Sequence, residues 1–200
     1  MMKIICVGRN YSDHIKELKN EKPDKPVIFC KPESVLLQSP AEFVLPAWDS
    51  KIHYECELVL RIGKDGKHIP EQAGNDWIDG IGLGIDFTAR DLQEKLKNKG
   101  LPWERAKSFD GSAILGEIKP YKAGSYQFFM KLNDLVVQNG NTEQMLFSFS
   151  EIIADISSWM SLSKGDLIFT GTPAGVGPVT KGDVLKGYLD DQENFVCHIK

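Results

Sequence analysis

IHYECEL, residues 52–58, has the composition of a β-strand yet carries two glutamates one residue apart. Side chains alternate across a strand, so His53, Glu55 and Glu57 share one face, while Tyr54, Cys56, Leu58 and, just beyond, Leu60 take the other. The second face is apolar and suits a core. The first sets two carboxylates side by side, and these repel each other unless water or a cation lies between them. That face is therefore either solvated or holds a metal ion.

Similar short apolar runs, several ended by Gly, Pro, Asn or Asp, predict strands at 3–8, 27–31, 56–62, 81–86, 128–132, 167–170, 184–189 and 195–199. Helices are fewer. Residues 11–19 place Ile15 and Leu18 on one side with Ser12 as a cap, 90–99 follow Thr88 and Asp91 in a capping-box arrangement and stop at Gly100, and Ser148 with Glu151 opens a helix over 152–160. Strands that do not alternate regularly with helices argue against a doubly wound parallel sheet. They point to a mainly β architecture with a few peripheral helices. No internal repeat or low-complexity tract interrupts it. Residues 98–110 and TGTPAGVGP, 170–178, read as loops, where chemistry tends to sit on a rigid scaffold.

At 200 residues the chain fits one domain spanning 1–200, able to bury roughly 70% of its unfolded surface without a staple. Its 42% hydrophobic and 26% charged residues and its net charge of −4 are ordinary for a soluble globular protein. They supply no basic footprint for nucleic acid. Cys6, Cys30, Cys56 and Cys197 form no C-x-x-C pair, so neither a zinc site nor a disulfide framework is signalled. The opening MMKIICVGRNY is too short in its apolar part for a signal peptide, and no apolar run reaches spanning length. These features predict a cytoplasmic protein with reduced thiols and no membrane partner.

GIGLGIDFTARD, residues 80–91, has glycines that fall inside a strand pattern and not at the strand-to-helix turn a dinucleotide fingerprint needs. Asp86 ends that apolar run. It reads either as a helix N-cap or as a third carboxylate beside Glu55 and Glu57. In the second case the three form a hard, oxygen-only site of the sort magnesium or manganese prefers, with positions left for substrate and water.

VGRNYSDHIKEL, the pair Lys31–Pro32, HYECEL, GIDFTARDLQ, GLPWERAKSFD and IFTGTPAGVG occur in an order and spacing that resembles the fumarylacetoacetate hydrolase family over nearly the full length. The likeness is greatest to the compact branch containing acylpyruvases and oxaloacetate decarboxylases. It implies a mixed β-sandwich roll of the family's C-terminal-domain type, with a few peripheral helices, assembled as a homodimer. It implies Mg2+ or Mn2+ bound by Glu55, Glu57 and Asp86, with Lys107 of AKSF as the active-site lysine. It further implies a substrate held by Arg9, Arg90, Gln93, Gly171 and Thr172, the last through its hydroxyl or its amide. His14 and Glu17, spaced i, i+3, match a pair on a lid helix that would activate water; a carboxylate beside an imidazole raises its basicity. His53 remains open between a supporting role at the metal and a plain strand-face position.

The expected substrate is a small 2-oxo acid. The expected reaction is metal-dependent hydrolysis of acylpyruvates to pyruvate and a carboxylic acid, decarboxylation of oxaloacetate, or both. Two alternatives stand beside it: isomerisation of a 2-hydroxy-diene dioate or of oxaloacetate, and a non-catalytic protein that binds a 2-oxo acid.

Overall fold

Sixteen strands run through the computed structural model, which describes residues 2–17, 23–49 and 51–200, with side chains left out at 14–16. In chain order they are β1 (Ile4–Gly8), β2 (Val27–Lys31), β3 (Leu36–Gln38), β4 (Ala41–Phe43), β5 (Ile52–Tyr54), β6 (Cys56–Ile62), β7 (Ile78–Asp86), β8 (Thr88–Ala89), β9 (Ala113–Leu115), β10 (Lys119–Pro120), β11 (Gln127–Leu132), β12 (Leu135–Asn141), β13 (Leu167–Phe169), β14 (Gly177–Pro178), β15 (Val184–Leu189) and β16 (Gln192–Ile199). The α-helices are α1 (Ser12–Glu17), α2 (Arg90–Asn98), α3 (Glu104–Lys107) and α4 (Phe149–Trp159). The architecture is mainly β, as expected. No helix among the described residues is long and apolar enough to cross a membrane.

The largest sheet has the order β2-β1-β13-β6-β7-β9-β3, with β10 pairing β7. It is mixed: β1 runs parallel to β13 and β3 parallel to β9, while the other neighbours are antiparallel. A second sheet, β12-β11-β15-β16-β4, sets two antiparallel hairpins, β11–β12 and β15–β16, side by side, with β4 parallel to β16 at the edge. The main apolar cluster includes Cys56, Leu58, Leu60 and Ile62 of β6 together with Phe128, Met130, Leu185 and Phe195 from the second sheet. The opposite face of β6 contributes Val59 to a smaller cluster with Cys6, Ala113, Leu115 and Phe169. This division by alternate residues follows the strand pleat. Gly80, Gly82 and Gly84 keep β7 bare where the chain from β9 onward crosses it; a Cβ on Gly84 would stand 2.5 Å from the Ile114 carbonyl oxygen.

Several elements differ from expectation. IHYECEL is not one strand: it breaks at Glu55, with β5 joining β14 and β8 in a small third sheet and β6 entering the main one. At the break the Cys56 amide donates to Gln138 Oε1 at 2.9 Å, and the Asp86 amide donates to the Glu55 carbonyl at 2.9 Å. The capping box expected at Thr88 is absent. Ala89 is the N-cap of α2 and no side chain caps it, because Thr88 belongs to β8 and its hydroxyl is engaged by Lys107. Asp86 is the last residue of β7, not an N-cap. The helix of 152–160 begins earlier, at Phe149, with its Ser148–Glu151 capping box in place. Residues 98–110, read as loop, contain α3. Of the helix expected at 11–19, Leu18 and Lys19 lie outside the described residues.

Candidate active site

Strand register brings Glu55, Glu57 and Asp86 together. Cys56 faces Ile85 and Glu57 faces Gly84 across β6 and β7, and the Asp86–Glu55 backbone bond continues that pairing by one step. Opposed residues of neighbouring strands project to one face, as do residues two apart on one strand. The three carboxylates therefore converge, and one oxygen from each lies within 4.8 Å of the others. They are 5, 2 and 0% exposed, respectively. This is no solvated strand face.

Cations close around them. Lys107, on α3, donates to Glu55 Oε2 at 2.8 Å, Asp86 Oδ2 at 2.7 Å and Thr88 Oγ1 at 2.6 Å, which uses every hydrogen of its ammonium. Arg90 reaches Glu55 Oε1 through Nη2 at 2.5 Å and Gln93 Oε1 through Nη1 at 2.7 Å. Beneath them, at the end of β2, Lys31 is fully buried. Its Nζ lies 2.7 Å from Asp86 Oδ1 and donates to the Ser112 carbonyl at 3.0 Å, to Ser112 Oγ at 3.1 Å and to the Lys107 carbonyl. One ammonium thus ties Asp86 to the backbone that carries Lys107.

The charges are tense even so. Burial, then the Asp86 and Glu55 charges, push the Glu57 carboxyl well above its ordinary value, against the pull of Lys107 and of the Gly171 amide. Burial would depress Lys107, but Asp86 and Glu55 more than offset it and hold its ammonium above the ordinary lysine value. Asp86 Oδ1 has the Lys31 charge beside it but no hydrogen bond. A carboxyl raised by its neighbours and a buried oxygen without a donor are both relieved by a divalent cation, and the all-oxygen donor set fits magnesium or manganese.

The loop after β13 forms another wall. Gly171 adopts φ +103°, and a Cβ there would stand 2.7 Å from the Cβ of Asn10. Only glycine fits, and its amide donates to Glu57 Oε2 at 2.8 Å. The Thr172 hydroxyl is committed to the protein: it donates to the Cys56 carbonyl at 2.8 Å and accepts from Gln138 Nε2 at 2.8 Å. Gln138 also donates to the Pro173 carbonyl at 2.9 Å, so one buried amide joins β12, the strand break and this loop.

Arg9 sits between β1 and the anchored Asn10 with φ +60°. The Asn10 side chain bonds the Thr170 carbonyl at 2.8 Å and the Phe147 amide at 2.8 Å. Arg9, Phe29, Lys97 and Trp103 line the same cleft as the three carboxylates, Arg90, Gln93, Lys107 and Thr172. Glu17 accepts from the Gly175 amide at 3.1 and 3.3 Å, which joins α1 to the 170–178 loop. The imidazole of His14 lies outside the described residues, and with it the expected His14–Glu17 pairing. His53 is half-buried, has no hydrogen-bond partner at either ring nitrogen, and is lowered to about 4 by burial and then by Arg90, which leaves it neutral.

Sequence reasoning missed Lys31 and Trp103 as site residues, quoting them only within the strings that carry the resemblance, and missed Gln138 and Lys97 altogether. A polar side chain inside an apolar strand run, as at Lys31 in VIFCK, was the only local signal.

The model of the fumarylacetoacetate (FAA) hydrolase C-terminal family matches residues 3–200. The oxaloacetate tautomerase FAHD1, mitochondrial, of Mus musculus is 40% identical over 191 residues, covering 94% of this chain and 86% of that protein. The mitochondrial oxaloacetate decarboxylase of Dictyostelium discoideum is 42% identical over 189 residues, covering 92% and 87%. Among solved structures, fumarylpyruvate hydrolase from Pseudomonas aeruginosa in complex with Mn2+ and pyruvate superposes with a TM-score of 0.94 at 32% identity, covering all of this chain and 89% of that one. A match that runs from residue 3 to residue 200, with the acidic trio at the heart of the shared fold, establishes that the chain belongs to the fumarylacetoacetate hydrolase C-terminal family.

Proposed function

We propose that the chain is an enzyme that forms and stabilises the enolate of a small 2-oxo acid, hydrolysing acylpyruvates and decarboxylating oxaloacetate, with Mg2+ or Mn2+ held by Glu55, Glu57 and Asp86. The observation that carries this reading is the convergence of those three buried carboxylates with Lys107 and Arg90 in one cleft. When bound, the ion would supply Lewis acidity towards a 2-oxo acid.

The chain's own groups do the rest. Lys107, fixed by three acceptors, places a positive charge where negative charge develops on the 2-oxo oxygen, without reorganisation at the moment of reaction. Arg90, clamped between Glu55 and Gln93, offers a preset planar donor to a substrate carboxylate. With its hydroxyl committed, Thr172 meets that carboxylate through its backbone amide. For an acylpyruvate, His14, oriented by Glu17, takes a proton from the water that adds to the distal carbonyl. The electron pair of the carbon–carbon bond then passes to the pyruvate half as enolate, the acyl half leaves as a carboxylic acid, and protonation at carbon 3 gives pyruvate. The Glu17–Gly175 contact supports α1 as a cover for the cleft. For oxaloacetate, loss of carbon dioxide yields the same enolate and no water adds.

The Mus musculus relative, an oxaloacetate tautomerase by name, favours a second reading. Keto–enol exchange needs only a proton moved between carbon 3 and the 2-oxo oxygen, so the same cationic cradle serves. Chelator-treated protein, assayed on acetylpyruvate and oxaloacetate while magnesium or manganese is titrated back, separates these activities if pyruvate release and tautomer change are read independently. Activity should vanish with the ion and return with it; turnover that persists without any divalent cation sinks the proposal. The implied homodimer would have exposed Val44, Trp48, Leu135 and Val136 available to cover, and sedimentation tests it.

A further inference from the structure

Cys56 stands between Glu55 and Glu57, and its own backbone is held by side chains. β13 pairs β6 only as far as Val59, while on the β7 side the bond at this point runs from the Asp86 amide to the Glu55 carbonyl. The amide and carbonyl of Cys56 therefore point to a side of β6 where no strand continues. A buried backbone group without a partner costs free energy comparable to a lost hydrogen bond. Here both groups are met: the Cys56 amide donates to Gln138 Oε1 at 2.9 Å, and the Cys56 carbonyl accepts from Thr172 Oγ1 at 2.8 Å.

Gln138 Nε2 donates in turn to Thr172 Oγ1 at 2.8 Å, which closes a ring of three hydrogen bonds. The direction of each bond is forced. A backbone N–H can only donate, so Gln138 presents its oxygen to Cys56 and its nitrogen to Thr172, and the other Nε2 hydrogen goes to the Pro173 carbonyl at 2.9 Å. The Thr172 hydroxyl, having accepted from Gln138, has one hydrogen left and gives it to the Cys56 carbonyl. All three residues are buried. Removing any member leaves another without its partner.

Two routes lead from Gln138 to the acidic trio. Through the Cys56 peptide it fixes β6 at its break, and with it the directions in which Glu55 and Glu57 leave the chain. Through Thr172 it holds the residue next to Gly171, whose amide donates to Glu57 Oε2 at 2.8 Å. Thr172 also lines the cleft, whereas Gln138 does not; it belongs to β12, at the edge of the second sheet.

We infer that Gln138 is a positioning residue: from the second sheet it sets, through Cys56 and Thr172, both the metal-binding geometry of Glu55 and Glu57 and the Thr172 amide that meets the substrate carboxylate. The inference rests on the proposed metal and 2-oxo acid chemistry and adds a residue that touches neither ion nor substrate.

The test is calorimetric titration of Mn2+ into chelator-treated protein. Gln138→Met keeps the length of the side chain and removes its hydrogen bonds; Mn2+ affinity should fall by about 10- to 100-fold, the usual cost of losing a group that orients metal ligands. Thr172→Val keeps the loop amide and opens the same ring. It should weaken Mn2+ binding by a similar factor, and the double variant should lose no more than the worse single one, as for parts of one network. At saturating Mn2+, KM for acetylpyruvate should stay raised in Gln138→Met with kcat little changed, because binding of the carboxylate is shared by ground and transition states. Ser148→Ala, which removes a cap from α4 outside the cleft, controls for lost stability and should bind Mn2+ as the wild type does.

A Gln138→Met protein that is less stable yet binds Mn2+ like wild type overturns the inference, as do single losses that multiply in the double variant. If Gln138→Met does not fold, Thr172→Val decides alone, and undiminished Mn2+ affinity there overturns the inference. A wild-type protein that binds Mn2+ but turns over neither acetylpyruvate nor oxaloacetate defeats the functional reading, while the Mn2+ titrations still decide the role of Gln138. A wild-type protein that binds no Mn2+ defeats both.

Discussion

Glu57 illustrates how a site residue differs from a stabilising one. Its carboxylate is almost wholly buried, accepts the Gly171 amide, and lies beside two other carboxylates whose charges, added to burial, make ionisation unfavourable. A glutamine keeps the shape and the acceptor oxygen but removes the charge. Glu57→Gln should therefore stabilise the metal-free protein by about 1–2 kcal/mol, since a poorly compensated buried charge is lost. The same change should weaken Mn2+ binding by roughly tenfold or more, because a charged ligand is lost. Urea unfolding in chelator and calorimetric titration with Mn2+ measure the two effects. A variant that is less stable without metal contradicts the assignment of Glu57 to cation binding. At this scale strand alternation put Glu55 and Glu57 on one face and left that face open between water and a cation, and it was the resemblance to the family that joined Asp86 to them as a third ligand. Lys31, Gln138 and Lys97 were not legible, because their relation to the trio exists only in three dimensions; Lys31 and Asp86 are brought together by strands far apart in sequence.

At the scale of elements, the two capping boxes expected from sequence had opposite fates. Ser148 and Glu151 form theirs, with the Ser148 amide donating to Glu151 Oε2 at 2.7 Å and the Glu151 amide to Ser148 Oγ at 3.3 Å. Thr88 does not cap α2, because its hydroxyl was needed by Lys107. Ser148→Ala should destabilise the protein by about 1 kcal/mol. The Ser148 hydrogen bonds hold the Glu151 carboxyl below its ordinary value. A depressed folded-state pKa contributes stability that is present above the unfolded value of 4.5 and is lost as pH falls through the folded one. The stability difference between wild type and Glu151→Gln should accordingly shrink as pH falls from 6 towards 3, as followed by urea midpoints at fixed ionic strength. A gap that is constant with pH would show that the carboxylate does not cap the helix. The eight strands anticipated from apolar runs all appear, whereas β3, β4, β8, β9, β10 and β14 were missed, being too short to display a period. The seven residues of β12 escaped for another reason: VVQNG mixes outward apolar with inward polar side chains, Val136 exposed and Gln138 buried.

Over the whole molecule, the contact between Lys31 and Asp86 reports the curl of the main sheet. β2 lies four strands from β7 in the order β2-β1-β13-β6-β7. Flat, that separation would be about 19 Å at the usual strand spacing, beyond the reach of a lysine side chain, yet the two charges stand 2.7 Å apart, both buried. The sheet must therefore roll so that its edge returns under the end of its central strand, and the Lys31 ammonium seals the roll by also engaging the Lys107 and Ser112 carbonyls. Breaking one side of a buried charge pair strands the other, which costs about 3–5 kcal/mol. Lys31→Met should lose that much in the metal-free protein, a fall of roughly 6–20 °C in Tm at this size. Asp86→Asn should restore part of the loss when added to Lys31→Met, because no carboxylate is then left without a counter-charge. Saturating magnesium should narrow the gap between wild type and Lys31→Met, since an ion ligated by Asp86 supplies the missing positive charge. If Lys31→Met unfolds within about 1 kcal/mol of wild type in chelator, or if Asp86→Asn adds its full cost on top, then packing alone closes the roll and the charge pair merely lies inside it.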